Sequence, residues 1–272
     1  MLALFLGIVE GLTEFLPVSS TAHLRLAEKL LGMDLADGYW KMFSIVIQLG
    51  AILCLPIYFW PRIVSYFSTF PRGTRGEKTI LTHPLSLTAM AFVVTSATSL
   101  PLTKLIGKNL ESLVVIGAAL LIGGIVMWVI DLQYGSRNGE PIEAMTPGQA
   151  LWIGLCQTLA PVFPGTSRSM ATIAGGQVSG LSRTAALEFS FLLSIPTMAA
   201  ATGYDLLKFL KLPRVHVDSH GWVVLGIGFV VSFVVAFGVV AWFMNWVRNR
   251  GFTPFAIYRI LAGAAVLVWA LK

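Results

Sequence analysis

The chain is 272 residues long, 56% hydrophobic and only 12% charged, with a mean hydropathy of +0.78. A soluble domain carries roughly a quarter charged residues. This chain has too few to cover a water-facing surface, so most of its outside must face lipid. Its formal charge of +6 suits anionic headgroups and an anionic substrate equally, and the basic residues form no patch of the kind that binds nucleic acid.

In chain order, the N-terminal run MLALFLGIVEGLTEFL has the apolarity of a signal peptide. It lacks a basic start, and two glutamates interrupt it before any small-residue cleavage site, so it reads as part of the mature protein. Residues 7–23, GIVEGLTEFLPVSSTAH, are an apolar stretch too short to span, then a proline, then hydroxyl residues. Three spans follow at about 41–60, 85–103 and 112–130, each able to cross about 30 Å of hydrocarbon at 1.5 Å per residue. Residues 131–147 have linker composition. The broken pattern then returns at 154–170, GLCQTLAPVFPGTSRSM, ahead of three more spans at about 185–207, 221–247 and 253–271. Cys54 and Cys156 lie in apolar segments without metal-ligand spacing and read as inert small hydrophobes.

Aligned without gaps, the two broken segments pair Gly7 with Gly154, Glu10 with Gln157, Pro17 with Pro164, Ser19 with Thr166 and Ser20 with Ser167. The alternative is chance likeness between Leu/Gly/Ser-rich membrane segments. A true repeat makes one membrane domain of two halves, 1–130 and 148–272, joined by the loop 131–147. If each broken segment dips in and returns on one side, three spans per half invert the halves. The expected fold is therefore an all-α polytopic membrane protein of six transmembrane helices plus two re-entrant helix hairpins in an inverted-topology repeat. Broken helices at matching places in inverted halves point to a binding site at the membrane midplane. The loops 61–84, 131–147 and 248–252 then share a side. Arg62, Arg72, Arg75, Lys78, Arg248 and Arg250 favour the cytoplasm for it, against Arg25, Lys29, Lys41, Lys104, Lys108, Lys208, Lys211 and Arg214 on the other.

Glu10 and Glu14, four residues apart on a helix, place two carboxylates on one face. Neither belongs unpaired in lipid. As a pair they can hold a divalent cation, or one can act as an acid; a polar rim at the membrane surface is the plainer alternative. Pro17 ends the first helix, leaving Ser19, Ser20 or Thr21 to cap the next and aim free N–H groups into the break. His23 follows Ser20 by one helical turn, so imidazole and hydroxyl can meet as base and nucleophile, unless the serines only cap and His23 only satisfies a carbonyl. In the second break, Gly165 permits close backbone approach, and Ser167, Ser169 and Thr172 supply hydroxyls. Arg168 offers a fork for phosphate oxygens or a counter-charge to Glu10 or Glu14. No GxxxxGK[ST] spacing indicates a nucleotide. Gln48 and Glu188 fall near equivalent points of each half, as candidates for cavity lining or packing, and Gln157 matches Glu10. Arg259 reads as an interfacial anchor, and His83, His216 and His220 as solvated. Together these residues suit attack on a lipid-borne phosphate by Ser20 or water.

At these residues the chain resembles the bacterial undecaprenyl-diphosphate phosphatase family of the bacitracin-resistance type. The motifs that carry it are EGLTEFLPVSSTAH, IQLGAIL, PGTSRSMAT, EFSFLLSIP and PFAIYR, spread over nearly the whole chain. Ala22 and Met170 stand where glycine is usual in the family, adding bulk near the breaks. The resemblance implies hydrolysis of the C55 polyprenyl diphosphate carrier with Mg²⁺ or Ca²⁺. Glu10 and Glu14 would be its acidic motif, Ser20 and His23 its nucleophile and base, and Arg168 its phosphate-binding arginine. It also implies a multi-pass protein of the bacterial cytoplasmic (inner) membrane with its site open to the periplasm. Membrane lipids and the substrate lipid are the partners implied, and a homodimer stays open. A transporter or flippase of a phosphorylated lipid shares inverted repeats and broken helices but needs no nucleophile. A purely structural subunit leaves the intramembrane charges without a role.

Overall fold

The computed structural model describes residues 1–33, 38–73, 76–102, 112–135, 139–210 and 217–272, giving only the backbone at 209 and 210. Arg75, Lys104, Lys108, Lys211, Arg214 and His216, and residues 136–138 of the connector, lie outside them. Regular structure among the described residues is helical, apart from an isolated bridge between Glu140 and Leu181.

The chain opens with two short helices, α1 (Leu2–Thr13) and α2 (Ser20–Leu30). The long α3 (Gly38–Tyr58), the short α4 (Trp60–Thr69), α5 (Pro84–Ser99) and α6 (Leu113–Tyr134) follow. After the connector come α7 (Pro147–Gln157), one turn of α8 (Leu159–Val162) and α9 (Arg168–Val178). The chain ends with α10 (Arg183–Leu210), α11 (Ser219–Arg250) and α12 (Thr253–Ala270). Among the described residues six helices are long and apolar enough to cross a membrane: α3, α5 with its short 3₁₀ extension, α6, α10, α11 and α12. They match the six expected spans. At 1.5 Å per residue the 12 residues of α1 and the 11 of α7 reach only about 16–18 Å.

Local sequence sets the helix ends. Thr146 and Gln149 form a capping box at the start of α7, with Pro147 in the first turn, where its missing N–H costs nothing. Asp218 caps α11 by accepting the Gly221 N–H at 2.7 Å. The core is built on rings: Phe191 meets Phe15 at 5.5 Å, Phe59 at 6.3 Å and Phe243 at 6.4 Å between centroids. Phe15 lies between α1 and α2, so the first break is tied to the core by its own aromatic residue.

Three expectations change. The connector begins later than residue 131, because α6 runs on to Tyr134. Asp131 is buried in it, accepting from Arg183 Nε at 2.8 Å, from the Phe252 and Thr253 N–H groups at 3.0 and 3.1 Å, and from Thr253 Oγ1 at 2.9 Å. It thus caps α12, whose own preceding residue, Phe252, cannot. His83 is buried rather than solvated. Its Nδ1 accepts the Leu85 N–H at 3.3 Å at the start of α5, and its ring packs on Phe70 and Tyr66. His220 is exposed, as expected. Arg259 is no interfacial anchor, for reasons that belong to the site.

Candidate active site

Both broken segments fold to the same local geometry. Helix α1 stops at Thr13, the residue whose carbonyl the Pro17 ring would strike. The chain turns, and Ser19 adopts φ +74°, a left-handed conformation that L-residues avoid. Its side chain accepts the Ala22 N–H at 3.4 Å and starts α2. In the second break Ser167 adopts φ +70° and accepts the Met170 N–H at 3.3 Å, starting α9. These are the described non-glycine residues with positive φ. The structural partner of Ser167 is therefore Ser19, not Ser20 as the ungapped alignment has it. The second segment carries one extra residue, and Arg168 stands at the helix position that Ser20 holds in the first.

Arg259 fastens the two breaks together. It is fully buried on α12, donating from Nη1 to the Pro17 carbonyl at 3.0 Å and from Nη2 to the carbonyls of Gly165 and Ala119 at 3.0 and 3.1 Å. A planar fork can serve three carbonyls at once, which a lysine cannot. Gly165 has φ +103°, and a Cβ there would lie 2.5 Å from the Ile116 carbonyl oxygen, so only glycine fits. Nothing in the sequence around Arg259 marked it as buried. The proline in each break and Gly165 in the second were the available clue, since such turns leave carbonyls without helical partners.

The breaks meet at a cavity of about 630 Å³, into which Ser19, Ser20 and Thr21 project from one side and Gly165, Ser167 and Arg168 from the other. Two helix N-termini thus face one space, the arrangement that attracts an anion. Glu14 lies between them: Arg168 Nη2 donates to its Oε1 at 3.2 Å, and the Ser20 hydroxyl donates to its Oε2. Nη1 of Arg168 is buried without a protein partner. Arg168 thus gives one nitrogen to the counter-charge of Glu14 and keeps the other without a protein partner.

Gln48 and Gln157 line the cavity. Hydrogen bonding fixes the Gln157 amide. Thr95 and Thr197 spend their hydroxyl protons on backbone carbonyls, so they accept from Nε2, at 2.9 and 3.2 Å. Oε1 is left buried and unpartnered. Ala22 and Met170 are buried and off the cavity, so their extra bulk packs behind its wall.

Other predicted site residues sit elsewhere. Ser20 and His23 share no hydrogen bond: Ser20 turns to Glu14, while the His23 ring bonds back to the Ser19 carbonyl at 2.8 Å and outward to the Tyr258 hydroxyl at 2.6 Å. Ser169 donates to the Leu16 carbonyl at 3.0 Å, and Thr172 to the carbonyls of Arg168 and Ser169; both lie behind the cavity wall, their hydroxyls already engaged. Glu188 does not line it either, since Arg62 draws it into an ion pair at 2.6 Å. Arg62 is 39% exposed, so Arg62→Gln should cost about 1 kcal/mol or less of stability and leave phosphate chemistry within twofold or so, read by thermal shift and turnover. Glu28, which sequence reasoning passed over, is buried but satisfied by Arg25 at 3.0 Å and Ser44 at 2.9 Å.

Glu10 is fully buried, with both carboxylate oxygens unpartnered. Among the described residues no group of three or more His, Cys, Asp or Glu is placed to hold a metal. Glu10, with both oxygens orphaned, nevertheless stands one helical turn from Glu14, and two carboxylates so placed suit magnesium or calcium. Such ions take one or two carboxylates and complete their shell with phosphate oxygens and water.

Residues 3–265 match the family model described as bacitracin resistance protein BacA. The chain belongs to this family. It is 63% identical to the undecaprenyl-diphosphatase of Koribacter versatilis, over 100% of this chain and 98% of that one. The proteins of the same name from Novosphingobium aromaticivorans and Campylobacter jejuni are 45% and 40% identical, covering 98% and 96% of this chain and 96% and 91% of theirs. The family resemblance read from the motifs is thereby borne out.

Proposed function

We propose that this chain is a membrane phosphatase that hydrolyses undecaprenyl diphosphate to the monophosphate and inorganic phosphate, recycling the lipid carrier for cell-wall synthesis. The observation that carries the reading is the meeting of Ser20, Glu14 and Arg168 at two facing helix N-termini in a membrane protein. Arg168 Nη1 and the free N–H groups at the starts of α2 and α9 hold the terminal phosphate. Ser20 Oγ attacks its phosphorus while the Ser20 proton passes to Glu14. The P–O bond to the bridging oxygen breaks, and its electron pair leaves on the lipid monophosphate. Water then replaces Ser20 at phosphorus, Glu14 returning its proton to the serine oxygen, and the water's surplus proton departs to solvent. Mg²⁺ or Ca²⁺ held by Glu10 and Glu14 would neutralise charge on the phosphoryl oxygens. The base assigned to Ser20 is Glu14, in place of His23. The prenyl chain runs out over Phe92 and Met198 and leaves past Leu100 and Tyr204, which line the same cavity and are exposed between α5 and α10.

We read the α1/α2 and α7/α9 pairs as re-entrant hairpins of two inverted halves. Their twin positive-φ caps support this, as does matched packing: a Cβ on Gly7 would meet Gly228 O at 2.9 Å, and one on Gly154 would meet Ala91 O at 2.6 Å. The protein lies in the bacterial inner membrane with residues 61–84 in the cytoplasm and the cavity open to the periplasm, as the positive-inside bias favours. Protein purified in detergent should release phosphate from a C55 diphosphate when Mg²⁺ is present, and a chelator should abolish the release. Movement of intact lipid between liposome leaflets without hydrolysis would instead establish a transporter.

A further inference from the structure

His23 lines no part of the cavity, yet its ring is held at both nitrogens. A carbonyl can only accept, so the nitrogen 2.8 Å from the Ser19 oxygen, Nδ1, carries a hydrogen. In the neutral ring Nε2 is then an acceptor, and Tyr258 donates its hydroxyl proton to it across 2.6 Å. The two rings also stack, 5.6 Å apart and 15° from parallel. The carbonyl at the end of this chain belongs to Ser19, the strained residue whose conformation directs the start of α2. Tyr258 is followed by Arg259, which holds the Pro17 carbonyl at 3.0 Å. One turn of α12 therefore grips the first break at two carbonyls, on either side of Val18.

We infer that Tyr258 and His23 form a positioning relay that locks Ser19 in its left-handed conformation and so aims the Ser20 hydroxyl and the α2 N–H groups at the phosphate. Tyr258 is a positioning residue, and His23 acts through its fixed Nδ1–H rather than as a base. The kinetic readout rests on the phosphatase reading; the tautomer does not.

Asparagine at position 23 keeps a donor where Nδ1 stands and has no basic nitrogen. His23→Ala should lower kcat roughly a hundredfold with KM changed less than about threefold, and His23→Asn should recover to within about fivefold of wild type. Tyr258→Phe, which keeps the stacked ring, should lower kcat about five- to tenfold. A folded His23→Asn protein as inactive as His23→Ala would overturn the relay, as would full activity in Tyr258→Phe. Should His23→Ala fail to fold, the other two variants still decide. Nitrogen-15 spectra of histidine-labelled protein should show His23 as the neutral Nδ1–H tautomer at pH 7.5, and the Nε2–H tautomer would equally refute the proposal. Absence of phosphate release by wild type would count against the phosphatase reading alone, leaving the tautomer to test the relay.

Discussion

Replacing Ser20 with alanine should lower phosphate release from a polyprenyl diphosphate by about 10³-fold or more, the scale of losing a nucleophile. Thermal stability should stay close to wild type. Ser20 is the first residue of α2 and its hydroxyl contacts only Glu14, so its removal deletes one hydrogen bond and no packing. The neighbouring cap, Ser19, is untouched. Glu14→Gln should fall almost as far. It keeps an oxygen for Arg168 but cannot take a proton from Ser20. Mass spectrometry of wild-type protein quenched in turnover should find phosphate on Ser20. A Ser20→Ala protein that retains more than about a tenth of wild-type turnover would assign the attack to water, with Glu14 activating it directly.

The second large effect is expected at Arg259, which touches no substrate. Arg259→Lys keeps the charge but cannot reach the carbonyls of Pro17, Gly165 and Ala119 together. Arg259→Met removes every donor and leaves three buried carbonyls bare. Hydrogen bonds from a charged group are worth about 1.5–3 kcal/mol each, so the methionine variant should lose about 3 kcal/mol or more, visible as a fall in melting temperature in detergent. Turnover in the lysine variant should drop about a hundredfold, because a displacement near 1 Å at the attacking group costs that much. Unchanged melting temperature and turnover in Arg259→Lys would show that the breaks are held by packing alone.

The spans were legible because apolar length is a one-dimensional property, and six runs of it became six helices. Prolines and hydroxyl clusters likewise disclosed both breaks, and helical spacing brought Glu10 and Glu14 to the same face. Partner choice was not legible where a side chain on a shared helix face can turn to more than one neighbour. Helical spacing would let the hydroxyl of Ser20 and the ring of His23 meet, but each turns to another partner, Ser20 to Glu14 and His23 to the Ser19 carbonyl and the Tyr258 hydroxyl. Register failed for a related reason: one extra residue in the second turn shifts Arg168 into the position of Ser20, which identity matching cannot detect. Arg259, Asp131 and Glu28 were misread or missed because buried charge is satisfied by distant backbone or by neighbours, and hydropathy treats every charge as exposed.

The central claim is that both breaks converge on one anion site. Soaking crystals of the protein with tungstate, a heavy analogue of phosphate, tests it most directly. The anomalous signal should fall between the Ser20 hydroxyl and the Arg168 guanidinium, within hydrogen-bonding distance of both. Tungstate bound only at surface lysines, with that space left empty, would contradict it.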